Sequence, residues 1–389
     1  MKWEIAKLGD ISKNIQTGPF GSQLHQSDYS ECGIPVVMPK DLVGGKISEE
    51  SIARVDKTHV ERLCRHKIEV GDILYSRRGD VGRCAHVTKK EEGWLCGTGC
   101  LRVTIDSEKA DSRFVFFQLQ HPDTVGWVEK HAVGATMLNL NTTILSSVPI
   151  RLPALEIQKR IADILSAYDD LIENNQKQIK LLEEAAQRLY KEWFVDLRFP
   201  GHENTKIVDG IPEGWRISSI YDVFDIKYGK NLPTSKITKV GQYPVYGASG
   251  VIGYYNEKNC DDYVTLVTSR GNGSGDVRRT HHKQSYVTNN SFIARRNDKN
   301  IFIKNEFTFQ LFSNTDFKKL CTGSAQPQLT NTSIQKIKIF LPNRQLIEKY
   351  QRCTIEMSEK QEALYKEQRA LTQARNRLLS KLINGTVEV

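Results

Sequence analysis

The chain lacks the long apolar runs, the paired cysteines and the catalytic signatures that would place it in a class at once. No stretch approaches the roughly 18 to 20 consecutive apolar residues that cross a bilayer. Mean hydropathy is −0.46, and Met1-Lys2-Trp3-Glu4-Ile5 carries no apolar signal stretch. A soluble, cytoplasmic chain is expected. The eight cysteines, at positions 32, 64, 84, 96, 100, 260, 321 and 353, follow no paired framework. At 389 residues and 39% hydrophobic, the chain can bury more than one core without disulfide staples, so reduced thiols are expected and disorder as the main state is excluded.

Recognisable catalytic chemistry is also missing. There is no Gly-x4-Gly-Lys-Ser/Thr phosphate loop; Gly229-Lys230-Asn231 has neither the upstream glycine nor the following hydroxyl. No Gly-x-Gly-x-x-Gly opens a helix, and no Asn/Asp-Pro-Pro-aromatic tetrapeptide of amino-methylating enzymes occurs. Cys84, His86, Cys96 and Cys100 lack a second close ligand pair and read as buried thiols rather than a zinc site. His281-His282 reads as a basic surface pair, and Pro122-Asp123 with Glu129-Lys130 lacks nuclease metal spacing. A non-catalytic chain that binds no metal and no cofactor of its own is expected.

What is present is a repeat. Gly134-Ala-Thr-Met-Leu-Asn-Leu140, followed by Leu145, Val148, Ile150 and Leu152-Pro153, matches Gly323-Ser-Ala-Gln-Pro-Gln-Leu329, followed by Ile334, Ile337, Ile339 and Leu341-Pro342, at a constant offset of 189. Upstream, Trp3 to Ile11 answers Trp215 to Val223 at an offset of 212, so the first copy holds 23 extra residues. After each Leu-Pro the pattern takes a helical period. Ile161, Leu165, Tyr168, Ile172, Asn175, Ile179, Leu182, Ala186, Leu189 and Trp193 step by 4 and 3 without a slip, a heptad seam with Asn175 as its register-setting polar position. Tyr350, Cys353, Met357, Leu364, Leu371 and Leu378 form a second seam, polar at Gln361, Gln368 and Arg375. Some 40 residues at ~1.5 Å each make a rod of about 60 Å. One such helix after each copy favours an antiparallel intramolecular pair with pseudo-two-fold, circular organisation over a homo-oligomeric zipper.

The charge is local. Net charge is +9; residues 198–342 carry 20 basic and 12 acidic side chains against 20 and 19 in residues 1–153. The helical segments, residues 154–197 and 343–389, come to −3 and +3, which favours their pairing. Arg77-Arg78-Gly79-Asp80-Val81-Gly82-Arg83 and Ser269-Arg270-Gly271-Asn272-Gly273-Ser274-Gly275-Asp276-Val277-Arg278-Arg279 each put guanidinium groups beside glycines after a strand-like run. Glycine allows close backbone approach, and arginine grips guanine or phosphate. One such loop reads as a solvated hairpin tip; two at matching places read as polyanion contacts. A weaker cluster in the first copy comprises Arg54, Lys57, Arg62, Arg65, His66 and Lys67.

This plan, with Gly18-Pro19-Phe20-Gly21-Ser22, Gly71-Asp-Ile-Leu-Tyr-Ser-Arg77-Arg78-Gly79, Tyr243-Pro-Val-Tyr-Gly-Ala-Ser-Gly-Val-Ile-Gly253 and Glu183-Glu-Ala-Ala-Gln-Arg-Leu-Tyr-Lys-Glu-Trp193-Phe194, resembles the specificity subunit of Type I restriction-modification systems along the whole chain. The resemblance implies an α+β fold: two tandem α/β target recognition domains, 1–153 and 215–342, separated by two long antiparallel coiled-coil helices, 154–197 and 343–384, with a linker at 198–214. It implies a prokaryotic chain reading a bipartite site on double-stranded DNA, with contacts expected from Ser22, Arg77, Arg78, Arg83, Arg270, Asn272, Arg278, Arg279 and His281. Helix pairing and partner docking are expected at Ile161, Leu165, Ile172, Ile179, Leu182, Leu189, Trp193, Leu364, Leu371 and Leu378. The implied partners are two modification subunits, which bind S-adenosylmethionine and methylate adenine, and restriction subunits using ATP and Mg. The second copy departs from the first at Gly229-Lys230-Asn231-Leu232, in place of the Gly-Pro-Phe-Gly turn, and at Asn343-Arg344-Gln345-Leu346-Ile347-Glu348. The alternatives are a coiled-coil interaction scaffold whose heads bind proteins, a specificity module of another methylation-based defence system, or an unrecognised enzyme.

Overall fold

The computed structural model describes residues 3–134, 137–323 and 326–387. Ala135, Thr136, Ser324 and Ala325, inside the repeated glycine motif, lie outside the described residues. The chain divides into two compact units, Met1–Glu173 with Arg369–Val389, and Asn174–Gln368.

In the first unit Ser12–Thr17, Cys100–Ile105, Ile73–Ser76 and Cys84–His86 form, in that spatial order, an antiparallel four-stranded sheet. Ala53–Val55, Ile34–Val37 and Leu95–Cys96 form a second sheet, its last two strands parallel. Glu4–Lys7 pairs with Pro149–Leu152, bringing the start of the repeat to its end. The helix Ser112–Gln120 starts where the Asp111 carboxylate accepts the Arg113 and Phe114 N–H groups, the side-chain cap its orphan donors need. It buries Phe114, Val115, Phe117 and Leu119 in the main core, each large side chain contributing about 1.5–3 kcal/mol.

The second unit repeats the strand order of both sheets, without a counterpart among the described residues of the first unit's short Leu42–Val43/Lys46–Ile47 hairpin. Phe224–Tyr228, Ser291–Arg296, Thr265–Thr268 and Val277–Arg279 make its four-stranded sheet. Gly250–Tyr255, Tyr243–Gly247 and Tyr286–Val287 make the three-stranded one, again with a parallel last pair. Arg216–Ser219 closes on Lys338–Leu341, and the helix Asn305–Ser313 answers Ser112–Gln120. The extra length of the first copy falls largely between Val37 and Ile73, where 35 residues replace the 17 between Gly247 and Thr265.

The long helices run Leu155–Tyr190 and Arg344–Ile383, each free of glycine and proline and each beginning just after a Leu-Pro. A five-residue π-helical turn, Lys191–Val195, ends the first. Each unit holds its own antiparallel stretch of the two. In the first, Ile161 and Leu165 join the core with Leu379, Leu382 and Ile383, and Asp169 meets Arg375 Nε at 3.1 Å. In the second, the Tyr350 hydroxyl donates to the Ala186 carbonyl at 3.1 Å and the Tyr365 hydroxyl to Glu183 at 3.2 Å, numbering falling along one helix as it rises along the other. All ten expected seam residues of the first helix are buried or half-buried, including Ile172, Leu182, Leu189 and Trp193, as are Leu364, Leu371 and Leu378.

Two sequence expectations change. Cys353 is exposed and Thr354 takes its seam place, because a step of 4 from Tyr350 keeps the stripe facing inward. Residues 198–214 are a structured segment rather than a plain linker. Phe199 is buried against Trp215, ring centroids 5.7 Å apart. Ile207–Val208 pairs with Ile211–Pro212 across Asp209 and Gly210, both at positive φ, as a tight two-residue hairpin turn requires.

Candidate nucleic-acid interface

The repeated glycine motif explains itself in three dimensions. In the first unit the strand Ile73–Ser76 runs out into Arg77 and Arg78. The Leu140 N–H donates to the Arg77 carbonyl at 2.8 Å and the Gly79 N–H to the Leu138 carbonyl at 3.1 Å. Arg78 lies in bridge register with Asn139, which also exchanges two backbone hydrogen bonds with Val133. Gly134 sits at φ +123, where a Cβ would come 2.3 Å from the Met137 carbonyl oxygen. Leu138, Asn139 and Leu140 strap down the arginine loop.

The second unit builds the same strap. The Leu329 N–H donates to Ser269 at 2.9 Å and the Gly271 N–H to Pro327 at 3.1 Å, while Thr322 and Gln328 exchange backbone bonds. Gln328 is in bridge register with Arg270, and Gly323 is at φ +96. Arg78 and Arg270 are therefore structural equivalents, as are Gly79 and Gly271, and Arg77 corresponds to Ser269. Arg78 and Arg270 are exposed, and neither has an ion-pair partner among the described residues.

The other expected residues separate. Asn272 is exposed beside Arg270, and Ser22 is exposed on its turn. Arg83 is exposed but paired with Asp80 at 2.7 Å. Arg278 is exposed and bonds the Ser249 carbonyl at 3.2 Å; the Thr268 hydroxyl donates to the adjacent Ala248 carbonyl. The turn joining Tyr243–Gly247 to Gly250–Tyr255 thus meets the arginine loop. Arg279 and His281 do not join this group. The Arg279 side chain is only 11% exposed, with Glu306 at 2.7 Å, Glu183 at 3.0 Å, Gln361 as a further acceptor and Phe309 beneath it. His281 stacks on Tyr365 of the second long helix, ring centroids 4.0 Å apart. These two side chains fasten the head to its helix pair.

The Gly18-Pro19-Phe20-Gly21-Ser22 turn lies at the first loop. Gly18 donates to the Cys100 carbonyl at 3.0 Å, and a Cβ there would strike the Gly97 carbonyl oxygen at 1.9 Å. Gly229 holds the same place in the second unit, donating to Ser291, with Thr288 O 2.3 Å from a would-be Cβ. In the first unit the chain continues into Phe20, whose ring lies 5.8 Å from the Arg77 guanidinium carbon. The weaker basic cluster is split: Arg54 bonds the Gly33 carbonyl, Arg62 faces Asp28 at 3.8 Å, and Arg65 reaches Gln23 beside Phe20. Contacts such as Phe20 with Arg77 join residues 57 apart, and no local pattern announces them.

Cys84, Cys96 and Cys100 are buried, and burial pushes the first two thiols up to about 12. His86 donates to or accepts from the Ser112 hydroxyl at 3.0 Å, and burial lowers its pKa to about 4. Among the described residues no group of three or more His, Cys, Asp or Glu could hold a metal ion, and no helix is long and apolar enough to cross a membrane.

Residues 1–184 and 212–376 each match the Type I restriction modification DNA specificity domain. The chain belongs to that family. The type I restriction enzyme MjaIX specificity subunit of Methanocaldococcus jannaschii is 25% identical over 416 residues, covering 100% of this chain and 94% of the relative. The MjaVIII specificity subunit of the same organism is also 25% identical, covering 100% and 93%. A crystal structure of a Type I restriction-modification S subunit from M. genitalium, 20% identical, superposes with a TM-score of 0.60 over 98% of this chain and 96% of that one. The tandem α+β heads and long helices of this specificity subunit are thus a shared fold.

Proposed function

We propose that the two heads of this specificity subunit each read one half of a bipartite site on double-stranded DNA. Arg77 and Arg78 serve the first head; Arg270, Asn272 and Arg278 serve the second. Arg83 and Ser22 lie at the margin of the first contact. The paired helices set the gap between half-sites and, through their remaining apolar faces, dock two modification subunits that bring S-adenosylmethionine to adenine. Restriction subunits bring ATP and Mg. The chain itself supplies no catalytic residue and no cofactor, and works in the prokaryotic cytoplasm. Arg279 and His281 leave the DNA-contacting set, because their side chains are committed to the helix pair.

One observation carries this reading: the same strap, in both heads, presents from a glycine-bounded loop an exposed arginine that has no ion pair among the described residues. A duplex binds such a group through a phosphate, independently of sequence, or through a base edge, with discrimination of about 1–3 kcal/mol. Arg78→Ala and Arg270→Ala in the full chain, measured by fluorescence anisotropy over a salt series, separate the two. Loss of a base contact relaxes preference at one half-site; loss of a phosphate contact weakens all duplexes and flattens the salt slope by about one. Binding unchanged by both substitutions would contradict the reading.

A further inference from the structure

Structural equivalence between the heads brings out a pair that only the first contains. Gly18 corresponds to Gly229, so Phe20 falls where the second head has Asn231; Arg77 falls where it has Ser269. Ser269 is buried and its hydroxyl donates to the Asn289 carbonyl at 3.2 Å. The aromatic ring and the guanidinium are therefore present together or absent together.

The pair is firmly held from behind. Arg77 is pinned through its backbone on both sides, its N–H to the Gly99 carbonyl at 2.8 Å and its own carbonyl to the Leu140 N–H. The Phe20 N–H donates to the Gln23 side chain at 3.2 Å, and the Gln23 N–H returns to the Phe20 carbonyl at 2.8 Å. Arg65 Nη2 donates to the same Gln23 oxygen at 3.4 Å. Yet Phe20 is 53% exposed, a large apolar ring left in solvent beside Arg77. Arg77 is half-buried: its Nε is shut off from solvent and has no hydrogen-bond partner among the described residues. Attraction to a ring face restrains a guanidinium without consuming its in-plane donors. The terminal Nη1 and Nη2 donors, rather than the enclosed Nε, are then the ones left for the O6 and N7 acceptors of a guanine.

We propose that Phe20 is a positioning residue for half-site specificity in the first head: it holds the Arg77 guanidinium so that Arg77 reads a base edge, a device the second head does not use. This rests on the reading of the heads as DNA readers. The test uses the full chain and a duplex carrying the bipartite site that becomes adenine-methylated in cells holding this system, with two control duplexes altered in one half-site each. Phe20→Ala, Phe20→Leu, Phe20→Trp, Arg77→Ala and the Phe20→Ala/Arg77→Ala double variant are compared. Phe20→Ala and Phe20→Leu are expected to weaken the intact first half-site about fivefold. They should leave the penalty for altering the second half-site unchanged, Phe20→Trp should restore binding, and the double variant should be no weaker than Arg77→Ala alone. Arg77→Ala weakening binding while Phe20→Ala and Phe20→Leu bind like the wild type would overturn this inference and leave the DNA-reading function standing. Arg77→Ala and Arg78→Ala both without effect would instead sink the reading of the first loop as a DNA contact. Equal loss on all three duplexes with Phe20→Ala, unrestored by Phe20→Trp, would show a general fold defect and also overturn the proposal.

Discussion

Arg278 and Arg279 are neighbours on one strand, and they have opposite fates. Consecutive strand residues face opposite sides, so Arg278 is exposed near the loop while Arg279 turns inward to Glu183 and Glu306. The sequence marks both as basic and says nothing of which side each faces, because the edge of a short strand carries no hydrophobic alternation to phase it. Titration is also decided residue by residue. His86 is held neutral by burial with its pKa lowered to about 4, and the buried ring of His66 behaves the same way. A base whose folded pKa lies below its unfolded value of about 6.5 gives stability that is present above that pH and drains away as pH falls towards 4. The first head should therefore lose up to about 3 kcal/mol through His86, and less through the more solvated His66, between pH 6.5 and 4. Urea unfolding of wild type and His86→Gln across that range checks it; the variant should show a shallower decline.

Among the elements, the first long helix is the most legible, since its seam is apolar at nearly every step. The second is weaker in sequence because Gln361 and Arg375 occupy seam positions for polar reasons. Gln361 accepts from Arg279, and Arg375 pairs with Asp169, donates to Gln120 at 2.8 Å and lies over Phe117. Each is a point where a head fastens to its own stretch of helix, a relation between distant segments that a local period cannot encode. The hairpin at 207–212 was hidden for a related reason: Asp209-Gly210 signals a turn, but the two-residue strands beside it are too short to show a period. Arg279→Met should leave Glu306, 12% exposed at its side chain, without its closest cation. The expected cost is about 2–4 kcal/mol in urea unfolding, with the salt slope of DNA binding unchanged. A variant of wild-type stability with a flattened slope would return Arg279 to the DNA-contacting residues.

For the whole molecule, the constant offset of 189 between the glycine motifs makes the duplication readable in the sequence alone, and two heads of one topology follow from it. What the repeat could not show is that its glycine motif is a strap, since that function exists only against a loop some 60 residues earlier. If the helices set the gap between half-sites, seven residues inserted into each, keeping the heptad phase, add about 10 Å, or about three base pairs. Mapping methylated adenines should then find both half-sites unchanged and their gap longer; an unchanged gap would remove the helices from that role. The most direct test exchanges residues 215–342 for the matching head of another family member and maps adenine methylation across a genome. The account predicts that one half-site changes identity while the other half and the gap persist; a site changed in both halves, or in neither, would contradict it.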